Sequence, residues 1–142
     1  DTVPILVGGG GERRTLRLAA RYGHACNVMG RDPAVVAHKI DVVRQHCIDV
    51  GRDPDDLVVT TLNPLIHAPS GRDLDHLIES LRPPTRAAEA FAAANQAATT
   101  EEHVARFRQL SALGVDRVCV SLVGNTGRER VEAFASVIDA FA

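Results

Sequence analysis

The residues most able to do chemistry are four consecutive glycines, Gly8-Gly9-Gly10-Gly11. They lie between the apolar run Ile5-Leu6-Val7 and a helix-forming segment that opens at Glu12. Glycines cost backbone entropy and pack no side chain, so a run of them marks backbone that must come very close to something. At a strand-to-helix turn that partner is typically an anion resting on exposed N–H groups at the positive helix end. The stretch reads as a phosphate cradle; a tight turn without a ligand is the competing reading. Standard nucleotide motifs do not fit. The dinucleotide fingerprint wants glycine at positions one, three and six and an acid roughly 20 residues on. Here the sixth position is Arg13 or Arg14, and Asn27 stands where the ribose acid is wanted. No Gly-Lys-Ser/Thr follows to make a P-loop. Glu12 suits the positive helix end, while Arg13 and Arg14 either reach a bound phosphate or point into water.

Other reactive side chains are less informative. The chain has six histidines, but no pair has zinc-site spacing; His38 and His46 fall eight apart on one helix. No metal is expected. Cys26, Cys47 and Cys119 are odd in number and set in apolar surroundings, so they read as buried free thiols in a reducing cytoplasm. His67, at the end of a strand, is the best-placed candidate proton donor, against the reading of an ordinary rim histidine. No catalytic residue is assigned from the sequence.

These residues need a scaffold, and 142 residues suffice for one domain with a real core. A net charge of -2 and 4% aromatic content give no case for nucleic acid or an anionic membrane. No apolar run approaches the ~20 residues of a membrane span, and the opening does not read as a signal peptide. Cytoplasmic location is expected. The chain opens on Asp1-Thr2-Val3-Pro4, without methionine and at once into a strand, as a piece of a longer chain would.

A strand over 3–7 leads to a helix over about 12–22, with Leu16, Ala19, Ala20 and Tyr22 available to face a sheet. A short strand at 25–28 precedes a helix opened by Asp32-Pro33 and ended by Gly51. Its stripe Val36, Ile40, Val43, Cys47 and Val50 is one helical face. A turn at 52–56 leads into a third strand at 57–62, extending toward Ile66. Helices are expected near 74–81 and 87–98. A capping box at Thr99-Thr100-Glu101-Glu102 opens another, with Val104, Phe107, Leu110 and Leu113 inward. A fourth strand within 115–123, a small-residue turn at Gly124–Gly127 and a last helix over about 128–141 complete the chain. That helix should turn Val131, Phe134, Ile138 and Phe141 inward. Strands alternating with helices predict an α/β fold with a parallel sheet, either half of an eight-stranded barrel or a small open sheet. Ligands then sit at the C-terminal strand ends, where Gly8–Gly11, Asn27, Asn63–His67 and Gly124–Gly127 converge.

The block from Pro4-Ile5-Leu6-Val7 through Gly8–Gly11 and Glu12-Arg13-Arg14-Thr15 to Tyr22, followed by Ala25-Cys26-Asn27, resembles the luciferase-like oxidoreductases. It is most similar to the branch that uses the deazaflavin coenzyme F420. The segments Asp32-Pro33 to Pro54 and Thr100 to Val118 are similar to the same branch and fall in the right order. The resemblance implies a parallel (β/α)4 half of a TIM-type (β/α)8 barrel, strands five to eight, as a single domain fragment over 1–142 with a helical insert about 69–98. It implies hydride transfer on a small-molecule substrate, with coenzyme F420 (alternatively FMN) held at its phosphate or ribityl end. Gly8, Gly9, Gly10 and Gly11 would bind through backbone N–H groups, with Arg13 and Thr15 assisting. Most residues around the coenzyme ring and substrate belong to the family's first half, so the chain is expected to pair with that N-terminal half-barrel or to form a homodimer. A non-catalytic phosphate-ligand module and an inactive remnant are the alternatives. One departure stands out: the family's usual Tyr-Ala-Asp before the second of these strands is Tyr22-Gly23-His24 here.

Overall fold

Asp32-Pro33 begins the longest helix as expected, with the Asp32 carboxylate accepting from the Ala34 N–H at 2.9 Å. In the computed structural model, which describes residues 3–124 and 127–142, this is α2 (Pro33–Asp49). Before it come β1 (Leu6–Gly8), α1 (Thr15–Tyr22) and β2 (Ala25–Asn27). After it come β3 (Val58–Leu65), α3 (Gly71–Leu81), α4 (Ala88–Ala94), α5 (Thr100–Ala112), β4 (Arg117–Leu122) and α6 (Arg128–Asp139). The strands form one open parallel sheet in the order β1-β2-β3-β4. This is a half-barrel topology.

The chain divides into two compact units, residues 3–62 with 108–119 and residues 63–107 with the described part of 120–142. In the first, α1 and α2 bury Leu16, Ala19, Ala20, Val36, Ile40, Val43 and Cys47. Register pairs Leu6 with Ala25 and Ala25 with Val58, and likewise Gly8 with Asn27 and Asn27 with Thr60. Side chains alternate along a strand, so Leu6, Val58 and Leu62 share a sheet face; Leu6 and Leu62 remain 53% and 60% exposed there. In the second unit, Ile66, Ile78 and Phe91 form a core with Leu74, Leu77 and Leu81 around it. Glu102 reaches back to the Thr99 N–H at 2.8 Å, the acidic half of the expected capping box.

Several sequence expectations are corrected. Tyr22 is exposed, because Leu16, Ala19 and Ala20 supply the packed face of α1. On α6 the buried residues are Phe134 and Val137, while Val131, Ile138 and Phe141 are about half exposed. Leu113 and Cys119 are only partly buried. The helix expected to reach residue 98 stops at Ala94: Asn95 bonds back to the Phe91 carbonyl, and Gln96 takes a left-handed φ of 45°. No helix among the described residues is long and apolar enough to cross a membrane. Of the Gly124–Gly127 turn, Asn125 and Thr126 lie outside the described residues.

Candidate functional site

The glycine run sits at the C-terminal end of β1, in the turn that enters α1. Gly9 has φ +142°, a conformation L side chains rarely adopt, and a Cβ there would lie 2.9 Å from Thr15 Cγ2. A Cβ on Gly11 would approach Thr15 Oγ1 at 3.0 Å. Thr15 thus fills the hollow of the turn, and its presence explains why Gly9 and Gly11 carry no side chain.

The polar groups of the turn divide by type. The Gly10 carbonyl accepts from Lys39 Nζ at 2.8 Å, the Gly11 carbonyl from the Leu16 N–H at 3.1 Å, and the Glu12 carbonyl pairs with His46 Nε2 at 2.8 Å. The N–H groups of Gly10 through Arg14 find no acceptor among the described residues. Nor is the start of α1 capped: Arg14 holds the N-cap position without a side-chain bond, and the first turn carries no acid. Glu12, the acid within the turn, is drawn aside by Lys39 at 3.2 Å and His38 at 3.4 Å. The Lys39 hydrogen bond and charge, then His38, hold its carboxyl below the usual range. Engaged carbonyls and unengaged amides at an uncapped helix start make an anion nest.

Lys39 is the residue that sequence reading missed. It is the sole lysine of the chain, and its ammonium, largely buried, ties α2 to the glycine turn. Its position one residue from the buried stripe of α2 was the available signal. Asn27 joins the same region: its carbonyl accepts from the Gly9 N–H at 3.4 Å and its side chain donates to Thr60 Oγ1 at 3.0 Å. Cys26 beneath it is fully buried, which pushes its thiol up to about 11 and makes it a core residue.

His24 serves the strand pair. Its Nδ1 accepts from the Ile5 N–H at 3.0 Å, while the Ile5 carbonyl accepts from the His24 N–H at 2.8 Å. An aspartate oxygen can accept that same bond. His24→Asp is expected to leave urea stability nearly unchanged, whereas His24→Leu should cost about 1 kcal/mol through the lost acceptor.

In the second unit His67 is buried rather than on a rim. Its Nε2 donates to the Ala133 carbonyl at 3.1 Å, and its Nδ1 is a buried nitrogen without a partner among the described residues. The ring stands 5.5 Å from that of His103 and 5.3 Å from that of Phe134. Burial pushes the His67 imidazole below its ordinary value, and its only N–H is taken by Ala133.

The fold is that of the luciferase-like oxidoreductases, over half of their barrel. An F420-dependent secondary alcohol dehydrogenase, solved with an F420–acetone adduct, matches 100% of this chain and 50% of its own at 19% identity, TM-score 0.74. Riboflavin lyase, solved with modified FMN and riboflavin, matches 97% of this chain and 42% of its own at 14% identity, TM-score 0.72. EDTA monooxygenase from Chelativorans sp. BNC1 matches 94% and 43% at 12% identity, TM-score 0.73. The chain spans about half the length of these proteins, and at these identities the likeness is one of fold. No protein-family model matches the sequence, and no curated protein sequence does.

Proposed function

We propose that this chain is the coenzyme-phosphate half of a luciferase-like oxidoreductase, with coenzyme F420 as the ligand and FMN as the alternative. The observation that carries the reading is the turn in which every carbonyl from Gly10 to Glu12 is engaged while the N–H groups beside them are not. The residues fit a phosphate: Gly8, Gly9, Gly10 and Gly11 let backbone approach it, and a Cβ at Gly9 would collide with Thr15 Cγ2 and displace the turn. Arg13 and Thr15 would assist, the Thr15 hydroxyl lying against Gly9 and Gly11, while Lys39 holds the Gly10 carbonyl toward α2. Bound there, the deazaflavin supplies the hydride chemistry on its own ring. This chain contributes binding and orientation; ring contacts and substrate pocket come from a complementary half-barrel, either an N-terminal half or a second copy. The half-exposed Leu6 and Leu62 on one sheet face support such a partner. Free thiols at Cys26, Cys47 and Cys119 suit a cytoplasmic setting.

The test is a fluorescence titration with the deazaflavin coenzyme and FMN as competitor. Saturable binding is expected, weakened at least tenfold by Gly9→Ala with the far-UV circular dichroism unchanged. Binding indifferent to Gly9→Ala would sink the cradle, and binding of inorganic phosphate alone would leave a phosphate-ligand module without a redox role.

A further inference from the structure

The outer face of α1 carries a second feature, which shares only Arg13 with the proposed glycine cradle. Arg13, Arg14, Arg17 and Arg21 line an open cleft of about 370 Å³ together with Leu18 and Tyr22. Among the described residues no carboxylate lies within ion-pair distance of any of the four arginines, although Arg82 and Arg128 elsewhere are paired at 2.7 and 2.6 Å. Local physics disfavours this arrangement. Like charges one turn apart, as at Arg17 and Arg21, repel. Arg13 and Arg14 add positive charge at the positive end of a helix whose first turn has no acid. A rule broken without internal compensation is expected at a functional surface. The cleft is also pre-shaped: Tyr22 and Leu18 are half exposed and form its apolar wall, and the Arg21 guanidinium sits 5.2 Å from the Tyr22 ring centre. All its cations are arginines, the planar forks that hold phosphate or carboxylate through paired N–H bonds.

We propose that the α1 cleft is an anion site for a small molecule carrying two or more phosphate or carboxylate groups, spaced to meet arginines about 6 Å apart on successive helical turns. The ligand supplies the negative charge that the chain itself does not place there.

The protein carries its own probe. Tyr22 is the sole tyrosine and there is no tryptophan, so intrinsic emission reports this cleft alone. Tripolyphosphate and citrate are titrated separately at constant ionic strength, with inorganic phosphate and sodium chloride as monovalent-site controls. A saturable change in Tyr22 emission is expected with a polyanion, at least tenfold tighter than with inorganic phosphate. Response to tripolyphosphate only, or citrate only, identifies which anionic group the cleft takes. The double variant Arg17→Gln/Arg21→Gln should weaken binding at least tenfold, while Gly9→Ala and Arg72→Gln should not, each checked for retained helix by circular dichroism. The proposal is overturned by no saturable response to either polyanion, by equal response to sodium chloride, or by affinity unchanged in the double variant. Tighter binding of a short DNA oligonucleotide that grows with its length would also overturn it, since a polymer track and not a small-molecule site would then be present.

Discussion

Between pH 6.5 and pH 4 the protein should lose about 3 kcal/mol of stability through His103 alone, at about 1.4 kcal/mol for each unit by which its pKa is displaced. His103 lies on α5 with no exposed surface, and burial pushes its imidazole down from 6.5 to about 4. Its partners suit only the neutral ring. Nε2 donates to the Ile66 carbonyl at 3.3 Å, which leaves Nδ1 as an acceptor facing Arg106 Nη1 at 3.4 Å. A proton on Nδ1 would confront that guanidinium; among the described residues the charges acting on the ring besides Arg106 are His67 and, on the same helix, Glu102. Phe107 and Phe134 close the remaining sides with rings 5.9 and 6.1 Å away. The unfolded chain takes up the proton near pH 6.5 and the native state does not, so the unfolded state gains as pH falls. Stability is full above 6.5 and declines toward 4. His67, also lowered by burial, adds to the same slope. Urea melts at pH 7.5, 6, 5 and 4.5 check this. The carboxylates of Glu12, Glu79 and Glu102, all lowered, contribute a separate loss at the acid end, and His103→Gln separates the two. The variant should flatten the slope between 6.5 and 5, and equal slopes in both proteins would refute the assignment.

His103 also marks where sequence reading ran out. The stripe Val104, Phe107 and Leu110 was legible from helical spacing and is buried as expected. The histidine beside Val104 drew no reading, because nothing local announces that Ile66, 37 positions earlier, offers it a carbonyl. The glycine turn was legible for the opposite reason. Its signal is local, four glycines between an apolar run and a helix, and the left-handed φ of Gly9 follows from that composition. What holds the turn was not read: the place of Lys39 beside the buried stripe of α2 hints at a role, but its target, the Gly10 carbonyl, shows only once α2 lies beside the turn. On α6 the apolar spacing selected Val131, Phe134, Ile138 and Phe141, but the buried face runs through Phe134 and Val137. Periodicity gives a helix an apolar side; it does not say which edge of that side finds a neighbour.

Replacing Arg52 by alanine should cost about 3 kcal/mol, the upper end for hydrogen bonds to a charged group, here two part-buried and one exposed. Its Nη1 donates to the carbonyls of Ala20 at 3.1 Å and Gly23 at 2.6 Å, and its Nη2 to that of Asp56 at 2.6 Å. Two of these belong to the end of α1 and the turn into β2, where terminal helical carbonyls have no partner of their own. Gly23 tolerates no substitute donor nearby, since even a Cβ there would meet the Ala19 carbonyl oxygen at 2.8 Å. Arg52 therefore fastens three chain segments through one planar group. Lysine carries the charge on a single nitrogen and cannot reproduce a two-nitrogen fork. Arg52→Lys should recover less than half of the loss, and equilibrium urea unfolding at pH 7.5 measures both variants. Because α1 leads back to the glycine turn at its other end, Arg52→Lys is also expected to weaken any ligand held there while leaving the turn's own residues intact. If Arg52→Ala changes stability by less than about 0.5 kcal/mol, the bonds are those of a solvated surface side chain, and the end of α1 must be held by packing of Leu16, Ala19 and Ala20 alone.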